Sequence, residues 1–436
     1  MTPEIEKRIK AVQARRVPAG LYLDEKRKTK DKRKWNVIRI SELFDEVCEK
    51  NHPDAEVLTI IQGVGTVPRE QSGREIIYDK NSLAGYKFVK KGDFIIHLRS
   101  FEGGLEVANS DGIVSPAYII LRPKIEVSTT YLYALFHTNR FINQTMAPAV
   151  EGARDGRSVK YDVLKQQKIL FPPLSEQKKI AEILATQDRV IELKEKLITE
   201  KQSQKKYLMS VLLGDDLKKP FKLNGVIIDK TKWKRKCLKE IGTFSKGQGI
   251  SREESHSGSI SAIRYGEIYT SHNEYIKEFY SFISENIAKC SKLLKKGDLL
   301  FSCSGETKED IGKCVAFISD IIAYAGGDII ILSPQIECDS KYLGFLMNSY
   351  AINKQRYGFG QGDSIVHISA DSIGQIEVNL PTLPEQKAIA DVLSAADEEI
   401  SLLQKGLEQE KLKKKSLMQL LLTGIVRVKN LQESSK

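Results

Sequence analysis

The chain has 436 residues with 68 Lys/Arg against 57 Asp/Glu, a net charge of +11, 41% hydrophobic and 29% charged residues. That length predicts two to four domains with ample core, and the composition excludes a disordered or fibrous chain. No run of about 18 apolar residues occurs and MTPEIEKRIKAVQARR has no apolar signal core, so no membrane partner and a cytoplasmic location are expected. The six cysteines (48, 237, 290, 303, 314, 338) are scattered without C-x-x-C or paired histidines, which reads as reduced thiols and no metal site.

Residues 1–34 form a charged N-terminal extension. Ile5, Ile9 and Val12 at helical spacing predict a short helix, and DEKRKTKDKRK (24–34) reads as a solvated linker or a DNA-backbone arm. Residues 1–35 hold 12 Lys/Arg against 5 Asp/Glu, so most of the excess charge lies there. A basic chain suits a polyanion, because Lys and Arg displace counterions from phosphates.

Residues 35–173 read as mixed α/β. Trp35–Ile40, Val57–Ile61, FIIHL (94–98), GIVSPAYIIL (112–121) and Gln167–Phe171 are predicted strands. Lys90-Lys91-Gly92-Asp93 is a turn, Thr130–Gln144 a helix, and EGARDGRSVK (151–160) a polar loop. His97 reads as a strand or core histidine. Residues 215–382 run through the same landmarks. Trp233 answers Trp35, Lys295-Lys296-Gly297-Asp298 answers the first turn, and DIIIL (328–332) answers 112–121. A helix 342–355 answers 131–144, and the loop 358–369 answers 151–160. The offset drifts from 198 at the Trp pair to 211 at Tyr131/Tyr342, which predicts one fold with loops of different length.

One stretch is written twice. Leu174, Glu176, Gln177, Lys178, Ile180, Ala181, Leu184, Asp188, Ile191, Leu208, Met209 and Leu212 each recur 209 positions on, from Leu383 to Leu421. Residues 174–214 and 383–424 are predicted as long helices. Pro172, Pro173 and Pro381 fit a first turn but no helix interior, Pro384 sits where N1 is expected, Glu176 and Glu385 are favourable to the dipole, and Gly214 and Gly424 end the helices. About 40 residues at ~1.5 Å rise make a rod of roughly 60 Å. A heptad seam predicts pairing through Ile180, Leu184, Ile191, Ile198, Leu208 and Leu212 with Ile389, Leu393, Ile400, Leu403, Leu407, Leu417 and Leu421. Gln187, Lys194, Lys201 and Lys205 fall on the same track, where polar residues fix register. The simplest partner for each rod is the other, antiparallel, since neither seam can be buried inside a compact segment. Residues 425–436 are a tail.

These features, FPPLSEQKKIA (171–181), LPTLPEQKAIA (380–390), LMQLLLTG (417–424) and the paired KKGD turns, resemble the specificity subunit of type I restriction–modification systems. The resemblance covers nearly the whole chain. It implies an α+β fold class: two similar α/β target-recognition domains separated by two long antiparallel coiled-coil helices, in a pseudo-twofold repeat. It implies that each domain reads half of a split double-stranded DNA target. The helices would space the halves and dock two DNA adenine methyltransferase (modification) subunits. S-adenosylmethionine, ATP and Mg would sit on these and on the restriction/translocase subunits, with none in this chain. The residues agree: there is no G-x-x-x-x-G-K-[ST], no H-E-x-x-H and no triad. The G-x-G at 247–249 and 358–360 belongs to no strand–G-x-G-x-x-G–helix unit. A specificity chain of a type IIB-like system, a methyltransferase in its own right, and a coiled-coil adaptor without DNA remain as alternatives.

Base reading needs Arg, Lys, Asn or Gln at groove edges. In the first domain the candidates are Arg154, Arg157 and Lys160, then Arg69 and Arg74; in the second they are Lys246, Gln248, Arg252 and Arg264, then Gln361 and His367. Tyr265 and Tyr269 read as packing residues.

Overall fold

The computed structural model describes residues 21–23, 35–73, 80–96, 104–152, 158–214, 219–305, 311–359 and 366–428. The chain divides into two units, one of residues up to Leu193 and from Leu407, the other Lys194–Gly406.

Each unit repeats one plan. In the first, the entering strand Asn36–Arg39 pairs antiparallel with the leaving strand Lys168–Phe171; in the second, Lys234–Cys237 pairs with Glu377–Leu380. Each segment therefore starts and finishes at one place, just before a long helix. A single helical turn follows each entering strand, Ile40–Leu43 and Leu238–Ile241. Glu42 accepts from the Arg39 N–H at 3.2 Å and Glu240 from the Cys237 N–H at 2.6 Å, satisfying a donor that the turn leaves unbonded.

A four-stranded antiparallel sheet is the centre of each segment. Its spatial order is Phe44–Val47, Ile119–Pro123, Phe94–Ile96, Leu105–Val107 in the first and Gly242–Lys246, Ile329–Pro334, Leu299–Ser302, Cys314–Ala316 in the second. Alternate residues of these strands enter different cores. Phe94, Ile96 and Leu121 pack with the helix Thr129–Phe136, whereas Ile95 and Ile120 pack with Leu58, Val89 and Val114. In the second unit Leu299, Phe301 and Leu332 join one core, and Leu300, Ile329 and Ile331 another. Both faces are covered, which is why the runs FII and LLF show no apolar–polar alternation. The KKGD turns feed these strands. Asp93 and Asp298 each accept the N–H of the first lysine at 2.8 Å, with Gly92 at φ +94 and Gly297 at φ +100, where a side chain would be strained.

Three expectations of secondary structure are corrected. GIVSPAYIIL is two strands: Gly112–Val114 pairs with Lys87–Val89, and Ile119–Pro123 enters the central sheet. A turn closed by Tyr118 N–H to Ser115 C=O, at 3.2 Å, separates them at Pro116, which has no N–H to offer a ladder. The counterpart of Ile329–Pro334 is thus Ile119–Pro123 alone. Helix 130–144 is an α-helix, Thr129–Phe136, followed by a π-helical stretch, Phe141–Met146. Thr138 stands between them, donating to Leu135 C=O of the first and accepting from the Phe141 N–H of the second. Helix 342–355 likewise splits into Ser340–Met347 and Tyr350–Phe359 at Asn348, whose amide bonds Gly344 C=O and Cys314 C=O.

The long helices run Leu174–Leu213 and Leu383–Leu421. They pair antiparallel within each unit. In the first, Gln187 reaches the Glu410 carboxylate at 2.9 Å and Asp188 meets Lys414 at 2.5 Å. In the second, Lys201 meets Glu399 and Lys205 meets Asp397, both at 2.7 Å. Lys205–Asp397 and Lys414–Asp188 are images of one another under the 209-residue repeat.

The seam is not confined between the helices, contrary to the expectation that no segment could bury it. Ile180, Leu184 and Leu421 belong to the first unit's main core with Leu417 against it; Leu212, Ile389 and Leu393 belong to the second unit's, with Leu208 against it. Ile198, Ile400 and Leu407 are buried, and Ile191 and Leu403 half-buried. After the second helix, Val426–Val428 pairs with Leu21–Leu23; after the first, Phe221–Leu223 pairs with Val226–Ile228. The predicted N-terminal helix and the charge run 24–34 lie outside the described residues.

Candidate nucleic-acid interface

Each segment is clamped to its helix by the Glu-Gln pair that recurs in sequence. Glu176 accepts the indole N–H of Trp35 at 3.0 Å and a two-bonded Arg427 guanidinium at 2.7 Å for both contacts. Arg427 also lies 5.4 Å from the Trp35 ring centre, in cation–π range. Glu385 accepts the indole N–H of Trp233 at 3.2 Å, and Lys230 covers that ring at 5.3 Å. Burial would raise the Glu385 carboxyl, but bonds from Asp229, Thr382 and Trp233 outweigh it and hold it below the usual range. Gln177 and Gln386 each bridge two backbones: they accept from Ser128 and Asp339 N–H, the caps of the following helices, and donate to Pro172 and Pro381 C=O. The pair is thus more than helix-start chemistry.

With the frame fixed, the candidate contacts fall at one end of the second unit's sheet. Lys246 closes its strand opposite Ile330, and Gln248 follows, its N–H bonded to Ala325 C=O at 3.1 Å. His367 faces Ser304, with Nδ1 3.1 Å from the hydroxyl, on the small ladder Ser304–Gly305/Val366–His367. Lys246, Gln248 and His367 are all exposed. Asp328 ties this edge to its neighbours: its C=O accepts the Cys303 N–H at 3.0 Å and its carboxylate stands 3.9 Å from that thiol. Burial pushes the Cys303 thiol up, with Asp328 adding to it.

Arg252 and Arg264 line one cleft of about 810 Å³ between the loop at 249–254, the helix Tyr265–Thr270 and Gly327-Asp328. Tyr265 lines it too and is 40% exposed, so the reading of Tyr265 as a packing residue is corrected. Tyr269 instead donates to Ser304 C=O at 2.6 Å. The cleft exists because the segments differ here. Residues 264–280 separate the strands Ile260–Ile263 and Ser281–Ile283, where only 62–64 separate Leu58–Ile61 from Gly65–Pro68.

In the first unit, Arg69 is half-buried at the turn Arg69–Gln71, close enough to Tyr118 to oppose the upward push of burial on its phenol. Lys160 is exposed and 3.6 Å from Glu151. Arg74, His97, Arg154, Arg157 and Gln361 lie outside the described residues. Sequence reasoning missed Ile250, Glu267 and Asp328 in the cleft; no local pattern marks them, since strand and loop partners place them.

The six cysteines are free. Among the described residues no helix is long and apolar enough to cross a membrane, and no three metal-ligating side chains converge.

The family model described as type I restriction modification DNA specificity domain matches residues 32–201 and 230–412. The type I restriction enzyme MjaVIII specificity subunit of Methanocaldococcus jannaschii is 26% identical over 91% of this chain and 94% of its own length. The putative type I restriction enzyme MjaX specificity subunit of the same organism is 27% identical over 80% and 82%. In three dimensions the fold is similar to a chain solved in work on assembly and conformational transition of the type I R-M system, with TM-score 0.58, 15% identity, and 90% and 97% of the two chains covered. It is also similar to the type I restriction–modification S subunit from M. genitalium, with TM-score 0.51, 16% identity and the same coverage. With the specificity domain matched twice along its length, the chain belongs to the family of type I restriction–modification DNA specificity subunits.

Proposed function

We propose that this chain is the DNA-reading, non-catalytic subunit of a cytoplasmic methyltransferase–endonuclease complex, each segment reading one half of a bipartite double-stranded target. The observation that carries it is one frame bearing different reading edges. By strand register Lys246 stands where the first unit has Cys48, and the cleft of Arg252 and Arg264 has a three-residue turn in its place. Loops held by a shared scaffold are where differing specificity belongs. The DNA contacts assigned are Arg69 and Lys160 in the first segment and Lys246, Gln248, Arg252, Arg264 and His367 in the second.

The long helices act as spacer and as docking surface for two adenine methyltransferase subunits. Leu193 and Leu402 support this: they are repeat-equivalent, 48% and 63% exposed, and so offer the same apolar contact twice. S-adenosylmethionine, ATP and Mg belong to the modification and restriction partners. Co-expression with the modification subunit should give methyladenine, mapped by sequencing, at two short elements separated by an unspecified spacer. A continuous motif, or no methylation, overturns the reading.

A further inference from the structure

The cleft of the second segment carries more than a general affinity for DNA. Two arginines, Arg252 and Arg264, line it with three acidic residues, Glu254, Glu267 and Asp328; the Glu254 carboxylate is taken by the Ser251 N–H at 2.7 Å, which leaves Glu267 and Asp328. A phosphate offers only acceptors and negative charge, so a seat for backbone phosphates has no use for Glu267 and Asp328 beside the arginines. A base-pair edge presents both kinds of group: guanine offers O6 and N7 as acceptors, and its cytosine offers the N4 amino group as donor.

The cleft is also built to hold its shape. Its walls are stitched by the Gly327 N–H to Gly249 C=O at 2.7 Å and the Gly326 N–H to Ile263 C=O at 2.9 Å. Two of its lining residues, Ile250 at φ +63 and Asp328 at φ +59, hold left-handed backbone without being glycine. For a β-branched isoleucine that conformation is unfavourable and persists only where surroundings over-determine it, a pattern found at binding sites. Glu267, 9% exposed, accepts from the Ser281 hydroxyl with one oxygen and has no hydrogen-bond partner for Oε2. Arg264 precedes its helix with its C=O bonded by the Glu267 N–H at 3.0 Å, so its backbone is anchored in the wall of the cleft it lines.

We infer that this cleft reads a G·C pair in the major groove, Arg264 donating to guanine O6 and N7 with Arg252 beside it, and Asp328 accepting from cytosine N4. This rests on the DNA-reading function proposed above. It predicts a G·C pair in the half-site of the second segment.

The test uses the full chain in complex with its modification subunits and a library of random duplex DNA, sequencing what is bound. The wild-type complex should select a bipartite motif with an invariant G·C position in one half. Arg264→Ala should lower discrimination at that position by about 5- to 150-fold. The other half and the dependence of affinity on salt should stay unchanged. Asp328→Asn should weaken preference at the same position, and it stands as the independent arm if Arg264→Ala does not fold. Uniformly weaker binding with a salt slope reduced by about one would make Arg264 a phosphate contact and overturn the inference. An unaltered motif in both variants would overturn it too, leaving the DNA-reading function intact. Selection of no bipartite motif by the wild-type complex would overturn that function and this inference with it.

Discussion

Glu176 and Glu385 hold the same place in the repeat but in different company. Glu176 faces a fully desolvated arginine, with side chains 4% and 8% exposed, whereas Glu385 is held by neutral donors. Removing one member of a buried ion pair strands the other charge, at about 3–5 kcal/mol. Losing one hydrogen bond among neutral partners costs about 1–3 kcal/mol. Glu176→Gln should therefore lower the denaturant midpoint more than Glu385→Gln, and equal losses would argue against the Arg427 clamp. His272 makes a second residue-scale case. Burial, helped by the Lys313 charge, pushes its imidazole down to about 4. A group depressed below its unfolded value near 6.5 contributes stability that is present above that value and lost as pH falls toward the folded one. The contribution is about 3 kcal/mol. Stability should drop between about pH 6.5 and pH 4, and His272→Leu should flatten the drop in urea titrations at several pH values.

Among the elements, the long helices differ at their two equivalent ion pairs. Lys414–Asp188 is half-exposed, at 33% and 52%, and such pairs contribute about 0–1 kcal/mol. Lys205–Asp397 is buried, at 10% and 7%, with Glu274 at 2.7 Å and Lys277 at 2.5 Å completing a four-charge cluster from the second segment. Burial alone would lower the Lys205 ammonium, but Glu274 and Asp397 raise it overall. Asp397→Asn should destabilise by about 3 kcal/mol, because it leaves Glu274 as the single carboxylate facing Lys205 and Lys277 in a largely buried cluster. Asp188→Asn should change the midpoint by less than about 1 kcal/mol. The polar track Gln187, Lys194, Lys201, Lys205 is legible in sequence as a register device. That one of its lysines binds a segment as well as a helix is not, because Glu274 comes from a loop with no counterpart in the first half.

For the whole molecule, each segment closes on itself through its entering and leaving strands, Asn36–Arg39 with Lys168–Phe171 and Lys234–Cys237 with Glu377–Leu380. An exchange of 215–382 for another such segment should thus change one half of the methylated motif and leave the other, as read by methyladenine sequencing. Movement of both halves would sink the two-reader arrangement. The duplication, the proline-opened helices, the KKGD turns and the mixed α/β character of each segment were all legible in the 436 residues, because caps, turns and heptads are written in near neighbours. Strand ends and helix breaks were less so: Thr138 and Asn348 interrupt apolar helical runs by side-chain bonds that a periodicity does not contain.

The sequence by itself determined that there are two like halves, where each long helix begins, and which residues of the repeat had to matter. Tertiary structure alone decided what those residues do. Arg427 reaches Glu176 across 251 positions, and Ile250, Arg264 and Asp328 meet in one cleft although the chain separates them. Such contacts follow from which distant surfaces are buried together, and burial on that scale leaves no trace in local spacing.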